Sequence, residues 1–276
     1  MNALTTVVPI EHEIKVTPNT NVQIKLLSSI RSQNIDNVIK TLKATLGIGD
    51  FSVLPEDVKS IIDDYYDTED LALYYTHSVF RIRREGVQPT LVIKQLVRQA
   101  QGELERTEYE TSLSEIELQN QSSQSFPEVV ASQLPDIRDK KLAYLLKVTN
   151  ERRNYLMERK GERYRLSLDM FVYANPKTGR TSDQQFEVEI EALNDAASAK
   201  LNNIKHNLLD VLTGFKFSAG SKYERGIKMF YIDSAEWKQV LAAWSSGIGL
   251  AWIGAIFGIL GLIVGIVGVW LTIKSL

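Results

Sequence analysis

Glu11, Glu13 and Lys15 stand two apart in the segment Ile10-Glu11-His12-Glu13-Ile14-Lys15-Val16. Side chains on a strand alternate between faces, so these two acids and one base share a face. The same parity returns in Arg81/Arg83, in Arg106/Glu108/Glu110 and in Glu187/Glu189/Glu191. Guanidinium forks match phosphate oxygens two at a time, and a lysine ammonium acts as a point charge. Lys94, Arg152 and Lys222 add further cations on later segments. Carboxylates spaced two apart send oxygens into one space, and hard cations take oxygen ligands. The acidic set is Glu11, Glu13, Glu108, Glu110, Asp169, Glu189 and Glu191. Together the two sets suit a polyanion and a metal ion held on the inner face of a sheet.

Each motif alone has a plainer reading. Alternating charges on a strand commonly form a solvated face, and mixed acids and bases form salt bridges that contribute little. Composition narrows the choice. The chain has 276 residues, a formal net charge of -2 and no cysteine. The charge argues against general nucleic-acid binding, which goes with a basic excess. Lack of cysteine excludes disulfides, thiolate metal sites and cysteine nucleophiles. His12, His77 and His206 show no metal-ligand spacing, so any metal would be held by carboxylates, which favours Mg²⁺ or Mn²⁺ over Zn²⁺. Met1 to Pro9 does not read as a signal peptide.

The elements that position these residues are mostly strands. Besides 10–16, strands are expected at Ile61–Asp67, Tyr74–Arg84, Thr90–Gln95, Glu105–Leu113, Leu145–Thr149, Arg153–Arg159, Arg163–Tyr173 and Gln185–Ala192. Asn34–Gly47 and Asp195–Leu212 have the three- and four-residue apolar spacing of amphipathic helices, and a short helix is expected over Ile137–Tyr144. Gln119–Pro135, rich in Gln and Ser, reads as a surface connection. Lys222 is taken to lie on a late strand like the other cations. The pattern predicts an α+β domain built on an antiparallel barrel.

The motifs follow one another as Glu11-His12-Glu13-Ile14-Lys15, Tyr65-Tyr66-Asp67-Thr68, Arg81-Ile82-Arg83 and Lys94, and then Arg106/Glu108/Glu110. Arg152, Asp169, Glu189-Ile190-Glu191-Ala192 and Ser221-Lys222-Tyr223-Glu224 complete the series. In this order they resemble the CYTH, or triphosphate tunnel metalloenzyme, superfamily over about residues 10 to 231. The resemblance implies an eight-stranded antiparallel barrel with a charged tunnel and flanking helices, binding triphosphates or nucleotides with Mg²⁺ or Mn²⁺. It implies that Lys15, Arg81, Arg83, Lys94, Arg106, Arg152 and Lys222 grip phosphate. Glu11, Glu13, Glu189 and Glu191 would hold metal, with Glu187 as a stand-in for Glu189. Glu108, Glu110 and Asp169 would coordinate or order the attacking water, and Lys15 would be catalytic beside them. A slip of one residue would exchange Arg152 for Arg153.

The end of the chain is of another kind. No charged residue occurs between Lys238 and Lys274, and 250–271 is almost wholly apolar, long enough to cross a bilayer as a helix. Lysines and arginines precede the run, which by the positive-inside rule leaves the N-terminal part in the cytoplasm. Residues 1–236 are expected to form the tunnel domain and 237–276 a single-pass membrane anchor. Gly247, Gly254, Gly258, Gly261, Gly265 and Gly268, with Ala251, keep one stripe of that helix small, which predicts a homo-oligomer. The expected function is a membrane-anchored, metal-dependent triphosphatase with inorganic triphosphate or a nucleoside triphosphate as ligand. The alternatives are a phosphorylated-ligand sensor whose membrane helices respond to binding, pore formation included, and a polyphosphate polymerase.

Overall fold

The computed structural model describes residues 8–32, 34–100, 103–113, 128–138, 140–211, 214–218 and 220–233. The expected membrane span and its glycine stripe lie outside these residues. Among the described residues no helix is long and apolar enough to cross a membrane. The chain divides into two compact units, Met1–Ile227 and Lys228–Leu276. The second begins with a π-helical turn over Lys228–Ile232.

The first unit is built on one antiparallel sheet. Its strands are β1 (Val8–Pro18), β2 (Ser52–Thr68), β3 (Val79–Arg84), β4 (Thr90–Ala100), β5 (Glu103–Ser112), β6 (Leu142–Arg159), β7 (Glu162–Ala174), β8 (Gln185–Ala192) and β9 (Phe215–Phe217). They pair in the order β5-β4-β3-β2-β6-β7-β8-β1-β9, and β5 also pairs with β1 over Val8–Ile14. The expected eight strands are therefore joined by a ninth, three residues long, which continues along β1 from Val16 to Pro18.

Residues directly opposite on neighbouring strands share a face. Lys15 faces Glu189, and Glu189 faces Ser167; Asp169 faces both Glu187 and Arg152, and Arg152 faces Lys59. Asp63 faces Arg83, and Lys94 faces Glu108. One face of the sheet is thus ionic across its width. The opposite parity is apolar. Ile14, Val16, Leu166, Leu168, Val188 and Ile190 are buried in one cluster with Val22 and Leu26 of helix α1 (Thr20–Arg31), Val38 and Leu42 of helix α2 (Ile35–Thr45) and Leu201 and Ile204 of a later helix, Leu201–Val211. A second cluster joins Phe80, Ile82, Leu91 and Ile93 to Val130, Leu134 and Ile137. The ordinary hydrophobic core therefore lies outside the sheet, under the helices.

Several expected elements differ. Helix α1 is not visible in the apolar spacing because only Val22, Leu26 and Ile30 are buried in twelve residues. Strand β2 starts nine residues before Ile61, through a largely exposed stretch that includes Pro55. Tyr74 lies in a helical turn, α3 (Ala72–Tyr75), and the strand begins only at Val79; Leu71 and His77, both at positive φ, bracket the turn. Part of the expected Gln119–Pro135 connection is helix α4 (Glu128–Gln133), and the expected helix at Ile137–Tyr144 is a 3-10 turn ending at Ile137 followed by β6. That strand runs through without the break expected at Asn150–Arg152. The late helix is split into α5 (Asp195–Ser198) and α6 (Leu201–Val211). Lys222 opens a helix, α7 (Lys222–Ile227), instead of lying on a strand.

Candidate active site

The ionic face borders a cavity of about 530 Å³ whose lining includes nine lysine and arginine side chains and seven carboxylates. Behind its wall, and sharing Glu189 with it, is a three-carboxylate cluster. Lys222 Nζ donates to Asp169 Oδ2, Glu187 Oε1 and Glu189 Oε1, each at 2.7 Å. Arg152 reaches the same group with a two-point contact to Asp169 at 2.7 and 2.6 Å and a third bond to Glu189 at 2.6 Å. Lys15 Nζ bonds Glu189 at 2.9 Å and pairs with Glu13 at 3.0 Å. Burial would raise the Glu189 and Asp169 carboxyls, but Arg152 with Lys222, and for Glu189 also Lys15, outweighs it and holds both below the usual range. Burial would likewise lower the Lys222 ammonium, and its three carboxylate partners hold it well above instead.

The opposite wall is organised by Asp63. Arg83 donates to both its oxygens, at 2.8 and 2.9 Å, and Arg81 approaches at 3.5 Å. Arg81 also lies 3.9 Å from Glu108, which pairs with Lys94 at 2.9 Å. Lost hydration and the neighbouring Glu108 carboxylate push the Glu110 carboxyl upward. Arg106 comes no nearer than 3.8 Å to Glu224. Among the described residues, the buried Nε–H groups of Arg81 and Arg106 and the Oδ1 of Asn150 have no hydrogen-bond partner. Buried donors left so are costly, and an anion entering the cavity can satisfy the two guanidiniums.

Local sequence explains the placement of Lys222. Ser221 N and Oγ donate to Glu224 Oε2 at 2.6 and 2.8 Å, and Glu224 N donates back to Ser221 Oγ at 3.1 Å. This is a capping box, for which Ser-x-x-Glu is the sequence signal. It starts α7 at Lys222 and aims the ammonium at the carboxylate cluster. Glu224 also bonds His77 Nδ1 at 2.6 Å, tying α7 to the turn before β3.

Of the residues singled out from the sequence, Glu13, Lys15, Arg81, Arg83, Lys94, Arg106, Glu108, Glu110, Arg152, Glu189, Glu191 and Lys222 all border the cavity. Glu13 stands directly opposite Glu191 on the neighbouring strand. Arg153 pairs instead with Glu151, at 2.8 Å. Asp169 and Glu187 are not part of the lining: both are fully buried behind it. Glu11 is opposite Arg106 on β5, and its side chain is outside the described residues. Asp63, Asn150, Arg165 and Lys59 line the site without having been singled out.

Two groups of carboxylates bear on metal binding. Glu13, Glu189 and Glu191 line the cavity and offer the oxygen ligands that Mg²⁺ or Mn²⁺ prefers. Oxygens of Asp169, Glu187 and Glu189 lie within 4.8 Å of one another, but an ammonium already stands among them.

No curated protein matches the chain. Among solved structures it is similar to a candidate adenylate cyclase from Bacillus halodurans, at 20% identity and TM-score 0.46, over 80% of this chain and 97% of that one. A candidate adenylyl cyclase from Hippeastrum, described as having a dominant triphosphatase activity, is similar at 14% identity and TM-score 0.47, over 78% and 94%. An RNA triphosphatase from S. pombe is similar at 11% identity and TM-score 0.31, over 75% and 79%. The model of the CYTH domain matches residues 13–227, from the first cavity-facing glutamate to the end of α7, and the chain belongs to that family.

Proposed function

We propose that this chain is a divalent-metal-dependent hydrolase that cleaves the terminal anhydride of a triphosphate, with inorganic triphosphate preferred over nucleoside triphosphates. The observation that carries this reading is the lining itself: nine cations and seven carboxylates, with Val79 its one aliphatic side chain. Tyr65 and Tyr223, the aromatic members, stack on one another at 5.5 Å and are fully buried, so neither offers a face to a base. In this reading the β1–β5 ladder completes an eight-stranded ring around the cavity.

Arg81 and Arg106 would take phosphate oxygens on their unpartnered Nε–H groups, with Arg83, Lys94, Lys15 and Arg152 completing the cationic wall. Donors fixed before the ligand arrives stabilise charge that develops during phosphoryl transfer without having to reorganise. Glu108 and Glu110, side by side on β5 and both facing the cavity, would order the attacking water and take its proton. Glu13 and Glu191 would hold the metal, since both oxygens of Glu189 are taken by Lys15, Lys222 and Arg152; the metal would supply Lewis-acid neutralisation of the phosphoryl oxygens. Water then bonds to the terminal phosphorus, the bridging P–O bond breaks, and diphosphate leaves.

Incubation with tripolyphosphate and Mg²⁺ or Mn²⁺ should release phosphate faster than incubation with ATP. Arg81→Ala should lower kcat/KM by about 100-fold or more, and Glu13→Gln should remove the metal dependence. If none of tripolyphosphate, ATP or GTP releases phosphate, the reading is wrong.

We propose further that residues 250–271 anchor the chain as a single pass, with the N-terminal domain cytoplasmic and the glycine stripe joining copies. The support is the sequence: the charge-free run between Lys238 and Lys274 and the small-residue register within it.

A further inference from the structure

Lys222 has three N–H donors, and all three are used. Asp169, Glu187 and Glu189 each accept one at 2.7 Å. An ammonium so occupied has no donor left for a phosphate. The cluster around it is also electrostatically complete. Arg152 bonds Asp169 and Glu189, Lys15 bonds Glu189, and Arg225 stands 2.6 Å from Glu187. Lys15 also pairs with the buried Glu13 at 3.0 Å, so with Lys222 four cations meet four carboxylates. A divalent ion added there would bring two uncompensated positive charges into a low-dielectric region. It would also need oxygens at about 2.1 Å, so each carboxylate would have to close in by about 0.6 Å on the position that Nζ now holds.

We propose that Lys222 is the resident cation of the Asp169–Glu187–Glu189 cluster, closing it to divalent metal and confining metal to the cavity-facing Glu13 and Glu191. Lys222 is then a positioning residue: its ammonium fixes Glu189, and through Asp169 it fixes the guanidinium plane of Arg152. The metal-dependent reading above enters only in the choice of Glu13 and Glu191; the closure of the cluster stands on the geometry of Lys222.

The test counts bound Mn²⁺ on the full-length chain, without any phosphate, by the loss of free-ion paramagnetic resonance. Lys222→Met keeps the length of the side chain and removes its charge. It should bind one more equivalent of Mn²⁺ than wild type, and Mn²⁺ should restore the thermal midpoint that the substitution lowers. A folded Lys222→Met chain with the wild-type count would overturn the proposal. Glu187→Gln, in an otherwise wild-type chain, decides the matter even if the lysine variant does not fold. Glu187 is outside the cavity lining, so its count should match wild type, and loss of one equivalent would mean that metal already occupies the cluster. A wild type that binds no Mn²⁺, beside a Lys222→Met chain that binds one, would sink the metal-dependent reading and leave the role of Lys222 standing.

Discussion

Asp63 holds Arg83 through two hydrogen bonds and Arg81 through a longer one, and it is 2% exposed. Burial alone would raise its carboxyl, but the two guanidiniums outweigh that and hold it well below the usual range. A depressed carboxylate contributes stability that is present above its unfolded pKa of about 3.9 and is lost as pH falls toward the folded value. Asp63→Asn should therefore cost about 3 kcal/mol at neutral pH, measured as a lowered urea midpoint. The variant should also lose less stability than wild type between pH 5 and pH 2 (values about the unfolded pKa). An equal loss in both proteins would count against Asp63 as a source of the acid dependence. At this scale the sequence was informative where charges alternate without interruption, as in Arg81/Arg83 and Arg106/Glu108/Glu110. Asp63 was hidden because Asp64 beside it is also buried, on the opposite face, where it bonds Tyr144 at 2.7 Å and pairs with Arg84. Two adjacent acids on two faces give no parity signal.

Helix α7 is six residues long, and its position depends on close packing against the sheet as well as on its capping box. Gly226 allows that approach. A Cβ built on it would run into a Leu146 methyl and come within 2.9 Å of Tyr173 Cδ1. Gly226→Ala improves intrinsic helix propensity by up to about 1 kcal/mol, yet overpacking of this kind costs about 1–3 kcal/mol. The net effect should be a lower denaturation midpoint, and because α7 carries Lys222, weaker ligand-induced stabilisation as well. An unchanged midpoint would show that the helix can back away. Helix α2 and strand β8 were read with ends within two residues of those observed, because Asn34 caps one and uninterrupted alternation marks the other. Strand β6 read as two pieces because Asn150-Glu151-Arg152 looks like a loop; on an ionic face such residues are what the strand requires.

The first unit turns the usual arrangement of a sheet domain inside out. Its apolar residues pack outward beneath α1, α2 and α6, while the inner face is a lattice of opposed charges. Composition could not reveal this, since the acids and bases nearly cancel over the full chain. The membrane expectation also belongs to this scale. The full chain should remain with membranes through an alkaline wash, and a chain ending at residue 236 should be released; release of both would remove the anchor.

The balance inside the cavity has a consequence for how ligand and cation affinities are tied together. Its nine cations exceed its seven carboxylates by a formal two charges, fewer than a triphosphate brings. Full occupancy therefore leaves a deficit of positive charge that a co-entering ion can fill. Binding of the anion and of the ion then raise each other's affinity by the same factor, a reciprocity required by thermodynamics. Under the proposed function the cavity is a joint receptor, incompletely matched to either guest alone and nearer to neutral with both.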